Sequence, residues 1–69
     1  MNVPIQTDYI KLDSFLKMIK AVSSGGEAKI VISEGEVVVN GEMEFRRGRK
    51  LYPGDSVVLG ARTFSVESA

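Results

Sequence analysis

The dipeptide Asn40-Gly41 directly follows Val37-Val38-Val39, and no other feature limits the fold more. Three β-branched residues in a row favour extended backbone. Asn-Gly after them is the strongest short-range signal for a two-residue hairpin turn, because both central residues of a type I′ turn need positive φ. A strand must therefore end at Asn40 and return through Glu42-Met43-Glu44-Phe45. On the two-residue period of a strand, Met43 and Phe45 are expected inside, with Glu42 and Glu44 facing water.

Upstream the period changes. Leu12, Phe15, Leu16 and Ile19 fall at i, i+3, i+4 and i+7, one stripe of an amphipathic helix. The spacing predicts a helix from about Leu12 to Ala21, with Asp13 in its first turn and Lys20 in its last, each complementing the helix dipole. Asp13 and Lys17 form an i, i+4 acid-before-base pair. Ser23-Ser24-Gly25-Gly26 combines capping hydroxyls with permissive glycines and reads as a turn into a second helix, from about Gly26 to Glu34. Ala28, Val31 and Ile32 mark its buried side, Ile30 points elsewhere, and Gly35 is the expected left-handed cap.

Elsewhere the chain reads as short strands and turns. Val3 to Ile10 contains Pro4, which suits an edge strand or an extended arm. Arg46 to Lys50 has no apolar residue and reads as a loop or an exposed strand end. Tyr52-Pro53-Gly54-Asp55 places Pro and Gly at the central positions of a type II turn. Ser56 to Leu59 and Thr63 to Val66 are strands joined by Gly60-Ala61. Phe15 and Phe64 fit the core, Tyr9 and Tyr52 fit core positions with wet hydroxyls, and Phe45 fits the core ahead of a base-stacking role. The expected fold class is α+β: two short helices packed on a small antiparallel sheet, one domain spanning residues 1–69.

Composition removes most small-domain chemistry. The 69 residues include no Cys and no His, so thiol nucleophiles, imidazole bases, disulfides and structural zinc are ruled out, and neither a cofactor nor a metal is expected. The carboxylate pairs Glu34/Glu36 and Glu42/Glu44 lack the surrounding chain that a catalytic pocket needs. An enzyme is not expected. The apolar runs are too short for a signal peptide or a membrane span, and a disulfide-free small domain points to the cytoplasm.

Charge is unevenly placed. Nine basic and nine acidic residues cancel, but Arg46, Arg47, Arg49 and Lys50 supply four of the nine basic ones within one short stretch. Such a run can be a solvated loop that offsets Glu42 and Glu44. It can equally be a phosphate-binding segment, since three of the four are Arg, whose planar fork suits bidentate phosphate contact.

An ordered set of motifs ties these pieces together: Lys11-Leu12-Asp13, Phe15-Leu16, Ala28-Lys29, Ile32, Gly35-Glu36-Val37-Val38-Val39-Asn40-Gly41 and Pro53-Gly54-Asp55. The chain resembles the αL RNA-binding domain named after ribosomal small-subunit protein S-four, over roughly Lys11 to Leu59. It is most similar to the stand-alone bacterial versions of the YaaA and YbcJ type. The resemblance implies RNA binding in ribosome assembly or maturation, with ribosomal RNA, a ribosomal subunit or another structured RNA as partner, and with basic residues at Lys11 and Lys29 meeting phosphate. Where the commoner family pattern has Ser-Arg before the second helix, this chain has Ser24-Gly25-Gly26, which leaves backbone amides at the helix start as the phosphate contact. The expected contact set is thus Lys11, Ser24, Gly25, Gly26, Lys29, Arg46, Arg47, Arg49 and Lys50. Neither a membrane nor a small-molecule substrate is expected. The other reading is a protein-interaction adaptor whose basic loop docks an acidic protein. The exposed edge of the Val3 to Ile10 segment would suit a weak homodimer.

Overall fold

Asn40 and Gly41 both have positive φ, 51° and 87°, and Val39 pairs with Glu42 across them. This is the expected I′ hairpin. The computed structural model describes residues 1–69. Its elements are β1 (Asn2–Ile5), β2 (Ile10–Lys11), α1 (Leu12–Met18), α2 (Gly25–Ser33), β3 (Val37–Val39), β4 (Glu42–Met43), β5 (Lys50–Leu51), β6 (Ser56–Leu59) and β7 (Arg62–Ser68). Five strands form one sheet in the order β1-β7-β6-β3-β4, and β2 and β5 form a separate ribbon. The sheet is antiparallel except at its first edge, where β1 runs parallel to β7.

One face of the sheet carries the core. Val3 and Ile5 of β1, Phe64 and Val66 of β7, Val57 of β6 and Val37 and Val39 of β3 alternate inward and meet Leu12, Phe15 and Leu16 of α1 and Ala28 and Ile32 of α2. Phe15 and Phe64 pack edge to face, with ring centroids 6.2 Å apart, an arrangement that adds about 0.5–1.5 kcal/mol to the burial itself. Val31 is only half-buried, while Ile30 is exposed as its position on α2 foretold.

The return strand inverts one expectation. Glu44 is buried, at 7% exposure, whereas Met43 and Phe45 are exposed at 62% and 56%. The hairpin register explains it. Val39 faces Glu42, Val38 faces Met43, and the Glu44 amide donates to the Val37 carbonyl at 2.9 Å. Because Val37 and Val39 point into the core, Glu44 shares their face and Met43 shares the outer face with Val38. Phe45 is therefore not a core residue. Its ring lies against Gly35, where a Cβ would come within 3.2 Å of it.

The helices end by the same device on different residues. After α2, the Gly35 amide donates to the Ile32 carbonyl and the Glu36 amide to Val31, with Gly35 at φ 75°. This is a Schellman cap. After α1, the Lys20 amide donates to Lys17 and the Ala21 amide to Leu16, and here the left-handed residue is Lys20, φ 61°. Helix α1 thus stops at Met18 rather than Ala21. Lys20 lies beyond the last turn, where Lys17 sits instead, and Asp13 and Lys17 make no ion pair; an Asp13 oxygen accepts from the Ser14 amide.

The remaining turns follow their sequences. Gly54 has φ 101°, and the Asp55 amide donates to the Tyr52 carbonyl at 3.0 Å, as in a type II turn. The Asp55 carboxylate accepts from the Tyr52 amide and from the Asn40 side chain, whose oxygen accepts from the Ser56 amide. The Asn-Gly hairpin and the Pro-Gly-Asp turn are thereby tied together. Strand β7 runs longer than Thr63 to Val66 because it pairs with β6 through Arg62–Ser65 and with β1 through Ser65–Ser68.

Candidate nucleic-acid interface

The basic segment is held in place from two sides. Its backbone hooks onto the start of α1: the Leu12 amide donates to the Arg49 carbonyl at 2.8 Å and the Asp13 amide to the Arg47 carbonyl at 3.1 Å. Two amides that a helix N-terminus would otherwise leave unpaired are satisfied this way. Arg49 in turn donates its amide to the Arg46 carbonyl, closing a tight loop through Gly48.

Its side chains are organised by Glu44. One Glu44 oxygen accepts from the amides of Phe45 and Arg46 and from Arg46 Nε; the other accepts from Arg46 Nη2 and from Arg49 Nη1 at 2.8 Å. The side-chain hydrogen bonds from Arg46, then those from Arg49, hold the Glu44 carboxyl down to about 2, against a smaller opposing push from burial. Burying this acid is tolerable only because five donors meet it. Arg46 stays largely in solvent on its outer side, while Arg49 is more enclosed. Arg47 and Lys50 pair with no carboxylate.

The β2–β5 ribbon adds Lys11 to this group, since Lys11 stands directly opposite Lys50. The structure therefore brings together five of the expected contact residues, Lys11, Arg46, Arg47, Arg49 and Lys50, on one surface around the start of α1. It does not join the remaining four to them. Ser24 caps α2, accepting from the Glu27 amide at 3.2 Å, while Glu27 reaches back to accept from the Ser23 amide. This is a capping box shifted by one residue. The amides of Gly25 and Gly26 have no partner within the chain; a Cβ would meet open space at Gly25 and only the Ser24 hydroxyl, at 3.9 Å, at Gly26. Lys29 is exposed on α2. No hydrogen bond or ion pair links residues 24–29 to residues 46–50.

The motif order and the fold point to one family, and the chain's similarity to known proteins agrees with both. A family model described as "S4 domain" matches residues 3–67. The chain belongs to the S4-domain family. It is 49% identical over 65 residues to "Probable ribosome maturation protein RlbA" of Bacillus subtilis (strain 168), covering 93% of this chain and 92% of that protein. It is 34% identical over 58 residues to "Putative RNA-binding protein YbcJ" of Escherichia coli (strain K12), covering 84% and 83% respectively.

Within this S4 domain, sequence reasoning missed Glu44, which it left facing water. A two-residue turn at Asn40-Gly41 fixes 37 opposite 44, so once Val37 and Val39 are taken as the inner residues, Glu44 follows them inward. The acid also precedes Arg46 by two residues and Arg49 by five, a spacing a single loop can close. No group of three potential metal ligands gathers anywhere in this S4 domain, and no helix is long and apolar enough to cross a membrane.

Proposed function

We propose that this protein binds structured RNA, with ribosomal RNA or a ribosomal subunit as the target and ribosome maturation as the setting, and that it acts without catalysis of its own. The carrying observation is the surface of Lys11, Arg46, Arg47, Arg49 and Lys50, in which Glu44 fixes two guanidinium groups before any ligand arrives. Preorganised Arg forks lose less freedom on meeting a phosphate than free ones do. S4-domain membership and the names of the two bacterial relatives support the same reading.

Recognition on this reading is electrostatic and shape-based. Basic side chains meet phosphates across a helix or junction, with few contacts to base edges. Lys29 and the free amides of Gly25 and Gly26 are a second phosphate contact in this scheme, which a bound backbone reaches by running along the helix pair. The whole chain serves as one binding unit in the cytoplasm.

Binding to ribosomal RNA fragments, titrated against salt, tests the proposal. Four phosphate contacts from the Arg46 to Lys50 segment give a log–log slope of roughly −3 to −4. Changing Arg46, Arg47, Arg49 and Lys50 to Ala should flatten it. No affinity at low salt, or a slope untouched by those changes, would sink the proposal; capture of an acidic protein by the same segment would then favour the adaptor reading. Sedimentation of the free protein checks whether the open edge of β1 pairs two copies.

A further inference from the structure

The β2–β5 ribbon has two faces of opposite character. Ile10 stands opposite Leu51; Leu51 is buried and Ile10 packs against the core. The other face is formed by the residues on either side of these two. Lys11 faces Lys50, and continuing the same antiparallel register brings Tyr9 opposite Tyr52, with ring centroids 5.9 Å apart and ring planes inclined by 46°. The Lys50 ammonium lies 4.8 Å from the centre of the Tyr9 ring. The result is an outward face of two tyrosines and two lysines with no carboxylate among them.

Two properties of this face are costly for a free protein. Tyr9 and Tyr52 are 37% and 48% exposed, so the pair leaves much aromatic surface in water. Lys11 and Lys50 set like charges directly across a strand pair, which is destabilising. A negatively charged ligand bearing flat apolar rings relieves both together, and an unpaired nucleotide is such a ligand.

The geometry points to Tyr9 and Tyr52 as a stacking platform for an unpaired base of the bound RNA, with Lys11 and Lys50 holding the phosphates beside it. This rests on the RNA-binding proposal above and adds to it a preference for RNA in which a helix is interrupted. Base–aromatic stacking accepts any base, so the preference is for unpaired nucleotides rather than for a sequence. The cation already lying over Tyr9 keeps that ring in place.

The chain carries its own reporter, because Tyr9 and Tyr52 are its only tyrosines and it has no Trp. Tyrosine emission and affinity are measured with two RNAs, a fully paired duplex and the same duplex interrupted by an unpaired internal loop. The wild type should bind the interrupted RNA more tightly and lose tyrosine emission on it to a greater extent than on the duplex. Tyr9→Leu with Tyr52→Leu should lower affinity for the interrupted RNA about tenfold while leaving its salt slope unchanged. Tyr9→Phe with Tyr52→Phe should retain the preference. Equal binding of both RNAs with no difference in emission overturns the platform and leaves the basic face standing, an outcome read on the wild type without any variant. Binding to neither RNA overturns the RNA-binding proposal, and the platform with it.

Discussion

Arg46 to Lys50 and the start of α2 present positive potential in opposite ways. The first is a set of side chains, two of them held by a buried acid, on a segment whose backbone bonds to α1. The second is bare backbone: two glycine amides, a capping Ser24 and no basic side chain until Lys29. A guanidinium keeps its charge at any pH of interest and donates in a fixed fork, whereas helix amides supply partial charge that falls off within the first turn. The difference teaches that this S4 domain gathers its basic side chains around the start of α1, where a single carboxylate, Glu44, positions two of them.

The comparison breaks hardest at Glu44. Glu44→Ala leaves Arg46 and Arg49 without their shared acceptor and should lower stability by roughly 1–3 kcal/mol, read as a fall in the urea midpoint. It should also weaken RNA binding despite removing a negative charge, since the two forks lose their preset geometry. Tighter binding by the variant would mean that Glu44 competes with RNA instead of preparing for it.

Acid gives the same test without mutation. The Glu44 carboxyl is held at about 2 in the folded protein, below its ordinary 4.5. A depressed folded-state value contributes stability that is fully present above the unfolded-state value and is lost as pH falls from there toward about 2. Urea midpoints for the wild type should therefore fall across that window by more than those of Glu44→Gln, which has no proton to take up.

At the start of α2 the effects are smaller. Ser24→Ala removes the cap and should cost about 1 kcal/mol. Gly25→Ala meets no atom within 4 Å and should stabilise the helix by about 0.4–1 kcal/mol through reduced freedom of the unfolded chain. If RNA backbone approaches the Gly25 amide closely, the same change lowers RNA affinity; if α2 only stands near the RNA, affinity is unaltered. Urea unfolding and RNA titration on one preparation give both numbers.

The smallest effect concerns the two helix ends. Gly35 and Lys20 occupy equivalent left-handed positions, but only Lys20 carries a Cβ there. Lys20→Gly should relieve about 1–2 kcal/mol of backbone strain and give back about 0.5–1 kcal/mol in chain entropy, so the melting temperature should rise slightly. The same change on an RNA-contacting lysine would weaken binding; here no loss is expected.

Features that depend on a few adjacent residues were legible in the sequence. The Asn40-Gly41 hairpin, the Pro53-Gly54 turn, the Ser24 cap and the Gly35 stop all use residue types whose backbone preferences are nearly decisive. The stop after α1 was hidden because Lys20 gives no sign of a left-handed conformation, and the stripe continued through Ile19 beyond the helix. The inner face of β3 is ambiguous in the sequence because Val37, Val38 and Val39 are all apolar, so the alternation of apolar Met43 and Phe45 with Glu42 and Glu44 points to the wrong face for Glu44. Of the site, the basic run was plain and its partner was not. The β2–β5 pairing joins residues some forty positions apart. The mirrored strings Tyr9-Ile10-Lys11 and Lys50-Leu51-Tyr52 were the available clue to it.

Amide chemical-shift mapping during titration with a ribosomal RNA fragment tests the central claim most directly, because it asks where the RNA lies and not only whether it binds. The account predicts the largest changes at Lys11, Leu12 and Arg46 to Lys50, weaker ones at Gly25 and Gly26, and none on the outer sheet face at Val38, Val58 and Thr63. Changes centred on that outer face, or on Met43 and Phe45 with the basic segment silent, would contradict it.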